Sequence, residues 1–571
     1  MPLPEEKVDR PEERVMRQLV EALLFEKRVV ASWQQMAGER YLCWTLRDLH
    51  FRCRACIGAF GRVRIVAGSL QVRDGNHWQA ADLLALLIAL PALEPVRRQL
   101  MAELEQTVRL CRWNRRHLVP SSSRRRLAFA ELEAALDEGH PYHPCFKART
   151  GFSEDDHRRY GPEAGERFQL VWLAVERSRL RQALPGGEAE FWLAELGGET
   201  WDRLSTRLHG QGGGWDSHGL LPLHPWQWQR LRDGLLAEGL ADGHYHFLGA
   251  AGDHYRASQS VRTLFNADRP HQANIKLAMD MVNTSSRRTI APHSVCSAPP
   301  ISHWLNAVVA SDPLLSERYP LVLLAEYAGI IADDQGQLAA IWRRSLTPLL
   351  GSGEQAVPFN ALMMLEHDGR PFVADWLARH GLESWLDRLF DVAVLPVWHL
   401  LVAHGIALEA HGQNMVLIHD RGWPVRLVLR DFHESVEYVP GFLREPGRVP
   451  DFMSLDSCYR DAAPNQYYWM ESLELLRELV MDTLFVFNLS EVSHLLERHC
   501  GLPEPHFWSR LATRLEAYAI EHDLQVRQRA LRHNARELYA ESLLTRKLSG
   551  NRVEYHHLVS NPLCPEQDHE S

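Results

Sequence analysis

Glu409-Ala-His411-Gly-Gln413-Asn414-Met-Val-Leu-Ile-His-Asp420-Arg-Gly-Trp-Pro424-Val-Arg-Leu-Val-Leu-Arg430-Asp431-Phe is the stretch from which the rest of the chain is best read. Residues 414–419 are strand-like, 420–424 collect Asp, Gly and Pro, and 425–429 form a β-branched return strand. The pattern predicts an antiparallel hairpin turning near residue 422. Asn414 and Asp431 lie almost equally far from that turn, so both fall at the open end, with Glu409, His411 and Gln413 just before it. Glu409, Asn414 and Asp431 offer oxygen ligands, which suit Mg2+. Kinases likewise pair an Asn and an Asp to hold Mg2+ against nucleotide phosphates. His411 can donate to a phosphoryl or carboxyl oxygen. The bland alternative is a helix-to-strand turn satisfied by its own polar side chains.

Upstream, residues 254–290 carry Arg256, Arg262, Arg269, Lys276, Arg287 and Arg288 against only Asp268 and Asp280. This basic island lies in a chain of net charge −10 and is interleaved with hydroxyls and amides. Arginine forks, a lysine and hydroxyl donors together suit phosphate and carboxylate groups, although a solvated strand with ordinary ion pairs fits as well. If Ser260-Val-Arg262-Thr263 is extended, Ser260 and Arg262 share a face. Ile275-Lys276-Leu277 sets a lysine in an apolar run, where burial demands an anionic partner.

A third polar segment is Gly139-His140-Pro-Tyr-His143-Pro-Cys-Phe-Lys147-Ala-Arg149-Thr-Gly-Phe152. Each proline keeps the residue before it out of helix, so His140 and His143 belong to a rigid extended loop. Capping or substrate contact suits them better than metal, because no third ligand is evident. His224-Pro-Trp-Gln-Trp-Gln229 is a second such loop, read as hydrogen-bonded scaffolding.

The 571 residues suggest about three domains, and 45% hydrophobic with 24% charged residues is an ordinary globular composition. An excess of 73 acidic over 63 basic side chains argues against a nucleic-acid or membrane-surface binder. Lysine is rare: Lys7, Lys27, Lys147, Lys276 and Lys547 are all there are, and two fall in the polar segments above. Residues 12–36 read as helix, 40–75 as short strands and 78–118 as helix. Ser121-Ser-Ser-Arg-Arg-Arg126 reads as a solvated connector. The expected units are 1–126, 127–340 and 341–571, the last ending in helices near 473–484 and 507–530. The fold class is therefore α+β, with helices and antiparallel sheets.

No P-loop, complete dinucleotide fingerprint, HExxH or GxSxG pattern occurs. Nine scattered cysteines point to a reducing compartment, and the lone pair Cys53 and Cys56 is read as packing. A charged N-terminus without an apolar core predicts no signal peptide, and the apolar run 83–93 is too short to span a bilayer. A cytoplasmic protein is expected, without membrane attachment.

Taken together, the segments resemble the NRPS-independent siderophore synthetases, the family of the aerobactin synthetases. The resemblance rests on His140-Pro-x-His-Pro-x-x-Lys147-x-Arg149-x-Gly-Phe, His224-Pro-Trp-Gln-Trp-Gln229, Ser260-x-Arg262-Thr263, Lys276-Leu with Thr284-Ser-x-x-Arg288, Glu409-x-His411-Gly-Gln-Asn414 and Arg430-Asp431-Phe432, in that order. It implies a cupped-hand architecture of thumb, fingers and palm, often homodimeric. It further implies adenylation of citrate or a related acid with ATP and Mg2+, then acyl transfer to an amine or alcohol. By motif, Ser260, Arg262, Thr263 and Lys276 would hold the ATP phosphates, with Gln413 and Asn414 nearby. Arg288 and His411 would contact both the α-phosphate and the acid, Thr284 would seat the acid, and Glu409 and Asp431 would bind Mg2+. His140, Lys147 and Arg149 are further candidates for substrate contact. Two other readings are a small-molecule phosphotransferase, which would release ADP, and a non-catalytic citrate- or siderophore-binding protein.

Overall fold

The structure is a computed structural model, and it describes residues 9–565 apart from 37, 76, 120, 122, 334 and 552. The N-terminal stretch read as lacking a leader thus lies largely outside the described residues, as does Ser122 of the connector. The first helix, Pro11–Phe25, is shorter than the sequence suggested. Lys27 adopts φ 53°, which ends it, and Ala31–Met36 is a strand paired with Glu39–Leu46. That strand opens a five-stranded antiparallel sheet, followed by the long helix Glu94–His117. Cys53 is buried and Cys56 exposed, and both are free thiols.

The connector is not solvated throughout. Arg124 is 2% exposed and pairs with Glu138 at 2.7 Å and Glu366 at 2.9 Å. A buried guanidinium needs such partners, and this one pins the segment to residues near 366.

The centre of the molecule is an eight-stranded antiparallel sheet. Its spatial order is His218–Leu223, Phe168–Glu176, Tyr245–Ala257, Thr263–Asn266, Asn274–Leu277, Ala339–Arg343, Glu326–Ile331 and Arg181–Ala183. Leu264, Ile275, Leu277 and Trp342 pack with Phe191, Trp192, Leu204 and Leu208 of two covering helices into one apolar core. The strand of this sheet that comes last in the sequence, Ala339–Arg343, crosses residue 340, where a boundary was expected.

A second sheet orders Leu321–Leu323, Trp423–Leu429, Met415–Asp420 and Glu354–Pro358, with only the first pair parallel. Its hairpin closes through Arg421 and Gly422 at φ 48° and 90°, a two-residue turn in which both central residues are left-handed. The turn is tighter than the five residues expected, because Asp420 and Trp423 already pair. Among the described residues one helix, Leu473–Cys500, is long and apolar enough to cross a membrane, and 72% of its apolar window is buried inside the protein.

Candidate active site

One face of the central sheet is apolar and the other carries the candidate chemistry. Thr263 faces Lys276, Asn274 faces Arg343, and Arg343 faces Glu326 across the ladder. Alternation therefore places these five polar side chains on the face opposite Ile275 and Trp342. The same strands supply a core and a site.

Lys276 is 5% exposed and finds the anion its burial requires. Its Nζ donates to Asp431 Oδ1 at 2.5 Å and to His433 Nε2 at 3.1 Å. His433 can accept there because its Nδ1–H donates to Glu326 Oε1 at 2.9 Å. The other Glu326 oxygen accepts the backbone N–H of Phe432 and of His433, each at 3.1 Å. This fully buried glutamate fixes the chain just after Asp431, which sits at φ 79°. Burial opposes the Asp431 charge, but Lys276, His433 and Arg343 outweigh it and hold the carboxyl well below the usual range.

Ser260 and Arg262 do not share an extended face. Residues 258–263 form a turn, with Val261 N–H bonded to Ser258 O and Ser258 N–H to Thr263 O, both at 2.8 Å. Val261 adopts φ 68°, a conformation costing a β-branched residue about 1–3 kcal/mol. The turn brings Ser260 Oγ to Thr263 N–H at 3.1 Å and sets Arg262 Nη1 on Thr289 O at 2.6 Å. A second strained residue, Thr284 at φ 61°, tips the small hairpin that leads to Arg288. Arg288 Nη2 donates to Asn283 O at 2.7 Å. Strain gathered at Val261, Thr284 and Asp431 is the kind that functional sites store.

Among the described residues, Arg262, Arg288 and Arg343 form no ion pair. Arg262 is 7% and Arg343 3% exposed, and the Nε atoms of Arg288 and Arg343 are buried without a partner. Burial, then the neighbouring Arg262, pushes Arg288 down to about 10. Burial and Arg430 do the same to Arg343, also to about 10. Such cations lack the partners that buried charge requires.

The hairpin's open end lies where the sequence placed it, with Arg430 N–H bonded to Asn414 O at 3.1 Å. Arg430 Nε donates to Gln413 O at 3.0 Å, and its fork grips Glu133 at 3.0 and 3.1 Å. Gln259 Nε2 donates to Glu133 O at 2.8 Å, tying the 258–263 turn to the helix Phe129–Ala135 that carries Glu133. His411 Nδ1 accepts N–H groups from Gln413 at 3.1 Å and Asn414 at 3.3 Å. The network therefore assigns the proton of a neutral His411 to Nε2, which lies 3.7 Å from Glu409 Oε1. Glu409 Oε2 accepts from Ser435 Oγ at 2.6 Å. Glu409 and Asp431 both act on Arg288, yet the cluster of ligand atoms around Asp431 comprises Glu326 and His433 and not Glu409.

His140 Nδ1 caps the N–H groups of Tyr142 at 3.1 Å and His143 at 3.0 Å. Burial, then His411 and Arg62, pushes it down to about 3, so it borders the site as a neutral imidazole. Lys147 and Arg149 are not brought into the polar cluster. Both are buried and grip Glu163, at 2.5 Å for Lys147 and at 2.8 and 2.9 Å for Arg149. His224 Nδ1 caps Trp226 N–H at 3.1 Å, as a scaffold residue would.

Glu326, Arg343, His433 and Glu133 were not singled out from the sequence, nor was Lys547, which donates to Thr284 O at 3.3 Å. Only Lys547 left a signal, as one of five lysines.

Comparison with known proteins gives the chain's family and fold. Residues 128–364 match the model of the IucA / IucC family, and residues 383–556 match a model described as ferric iron reductase FhuF-like transporter. A Bacillus anthracis protein named citryl-spermidine/3,4-dihydroxybenzoyl-citryl-spermidine:spermidine ligase is 34% identical, over 96% of this chain and 93% of its own. The crystal structure of the petrobactin biosynthesis protein AsbB from Bacillus anthracis str. Sterne superposes with TM-score 0.91 at 33% identity, covering 97% of this chain and 95% of that one. Aerobactin synthetase IucC from a hypervirulent pathotype of Klebsiella pneumoniae gives TM-score 0.83 at 27% identity, covering 97% of each chain. With sequence kinship and fold running nearly end to end, the chain belongs to the IucA / IucC family, the NRPS-independent siderophore synthetases.

Proposed function

We propose that this protein makes a siderophore or its precursor by using ATP to adenylate a carboxylate of citrate or a related acid, then passing the acyl group to an amine or alcohol. The observation that carries this reading is the group of arginines without an ion pair among the described residues, the buried Arg262 and Arg343 and the partly buried Arg288, beside Lys276 and Asp431. Anionic substrates supply the partners these cations lack.

In the first step a carboxylate oxygen attacks the α-phosphorus, and the bond to the bridging oxygen of pyrophosphate breaks. Two anions must approach, so fixed cations lower the barrier. Arg288 and His411 Nε2–H bridge the α-phosphate and the acid, and Thr284 helps seat the acid. Ser260, Arg262, Thr263 and the remaining Lys276 proton hold the phosphates, beside Gln413 and Asn414. In the second step the amine nitrogen or alcohol oxygen attacks the acyl carbon, AMP leaves with the bonding pair, and the acceptor's proton passes to solvent. No nucleophilic side chain is needed, only orientation.

Mg2+ fits the donor set, because Glu409 Oε1 and one Asp431 oxygen take no hydrogen bond among the described residues. When bound it would neutralise charge on the departing pyrophosphate. Lys147 and Arg149, engaged with Glu163, we assign to holding the 139–152 loop, and His140 to bordering the acid.

Carboxyl-18O citrate tests the reaction type. The expected result is one 18O atom transferred to AMP. Unlabelled AMP, or ADP as the product, would overturn it, and ADP would favour a phosphotransferase.

A further inference from the structure

The five-stranded N-terminal sheet carries a concavity of its own. It encloses about 610 Å3, with Arg28, Arg47 and Arg73 in its wall, a volume in the range of small-molecule sites. A neighbouring cavity of about 460 Å3 shares Arg28 and Arg47 and runs on to Thr545, Leu548 and Tyr555. No described aspartate or glutamate lines either one, in a chain with 73 acidic side chains and a net charge of −10.

The three arginines come from separate elements. Arg28 follows the first helix, Arg47 sits in the turn between Glu39–Leu46 and Leu49–Cys53, and Arg73 lies in the strand Gln71–Asp74. All are exposed, and among the described residues none has an ion pair or a side-chain hydrogen bond. One such arginine is ordinary, but three around a concavity without an acid make its field positive. Arg47 and Lys27, the residue before Arg28, adopt φ 50° and 53°, the left-handed region that side chains rarely enter. Two buried polar atoms in the walls are unanswered. Trp44, 4% exposed, lines the first cavity and its Nε1–H has no partner. Thr545, 8% exposed, lines the second and its Oγ1 has none. Orphaned polar atoms in a cavity wall call for an occupant. The lining also includes Val30 and Leu93, both exposed.

We propose that this groove binds a small molecule carrying two or more carboxylates on an apolar frame, at a site separate from the cluster around Lys276 and Asp431. Guanidinium forks match carboxylates in shape and charge. Cations spread over three elements and two adjoining cavities suit carboxylates spaced along one molecule, whereas a single phosphate holds its charge at one point. Val30, Leu93 and Trp78 supply apolar surface for the frame. None of the residues assigned above to ATP, the acid or Mg2+ lines the groove, so the proposal does not depend on the adenylation reading. The helix Leu543–Ser549 borders both places: its Thr545 and Leu548 line the groove, while its Lys547 donates to Thr284 O at 3.3 Å.

The test is calorimetric titration of the full chain with benzene-1,3,5-tricarboxylate and with benzoate, at low salt and pH 7.5, in wild type, Arg47→Asn, Arg73→Gln and Arg288→Met. The two probes share a ring and differ in carboxylate count. Asparagine tolerates the left-handed region, so Arg47→Asn keeps the turn, and Arg73→Gln alters an exposed strand position if that variant fails to fold. The expected result is a dissociation constant for the tricarboxylate at least tenfold below that of benzoate. It should weaken at least fivefold in Arg47→Asn and in Arg73→Gln and stay unchanged in Arg288→Met. Absent binding, equal affinity for the two probes, or wild-type affinity in a folded Arg47→Asn or Arg73→Gln would overturn the proposal. So would loss of binding in Arg288→Met, which would place the probe in the cluster around Lys276.

Discussion

Arg288→Met separates what the site costs from what it does. The substitution keeps an unbranched apolar stem and removes a cation that has no ion pair among the described residues. The fall of Arg288 from its ordinary 12.5 to about 10 corresponds to about 3 kcal/mol against the charged form. Partial exposure of the residue lets solvent screen part of this. The lost hydrogen bond to Asn283 O offsets about 1 kcal/mol more. The ligand-free variant should therefore be more stable than wild type by about 1 kcal/mol, a rise of a few degrees in Tm at most. Stability gained by removing a functional charge is a known trade-off. Thermal melting without ligands, in low salt near pH 7.5, measures the first half, and acid-dependent pyrophosphate release measures the second. A variant that melts clearly below wild type would show that Arg288 supports the fold. One that still adenylates would show that it does not hold the reacting groups.

The remaining predictions follow from the same geometry. Lys276→Met strands Asp431 without its 2.5 Å partner and should destabilise the protein by about 3–5 kcal/mol, read by chemical denaturation; an unchanged midpoint would contradict the pairing. Asp431→Asn should lose turnover at every Mg2+ concentration, and wild-type activity at low Mg2+ would exclude a metal role. His411→Ala should abolish adenylation while lowering stability by only about 1–2 kcal/mol, from the two N–H groups its ring caps, with the protein still folded cooperatively. Glu437 keeps its proton in the folded chain up to about 8 but in the unfolded chain only to about 4.5, so its contribution to stability is lost as pH rises between those values. Glu437→Gln should therefore melt higher than wild type at pH 8 and alike at pH 5. Burial pushes His140 and His224 down to about 3, so their contribution to stability is lost as pH falls from about 6.5 towards 3, measurable as an acid-induced drop in Tm.

What the sequence revealed followed from locality. The hairpin was legible because alternation and the turn at Arg421 and Gly422 lie within sixteen residues of one another. Lys276 was legible because a lysine in an apolar run demands an anion, although that anion, Asp431, lies 155 residues away. Alternation misled at Ser260 and Arg262, since Val261 in the left-handed region breaks the strand. It was equally silent about Lys27, whose backbone ends the first helix early. Arg343 and Glu326 were invisible for a different reason. Each is an ordinary charged residue in its own segment, and they become part of the site only through the register of strands distant in sequence. Lys147 and Arg149 looked like substrate contacts because their motif hides Glu163, the acid that neutralises both.

The most direct test of the central claim is ATP–pyrophosphate exchange with a panel of carboxylic acids, beginning with citrate, at saturating Mg2+. The account predicts exchange that depends on the acid, needs no amine and disappears in Arg288→Met. Acid-independent exchange, or exchange that survives in Arg288→Met, would contradict it.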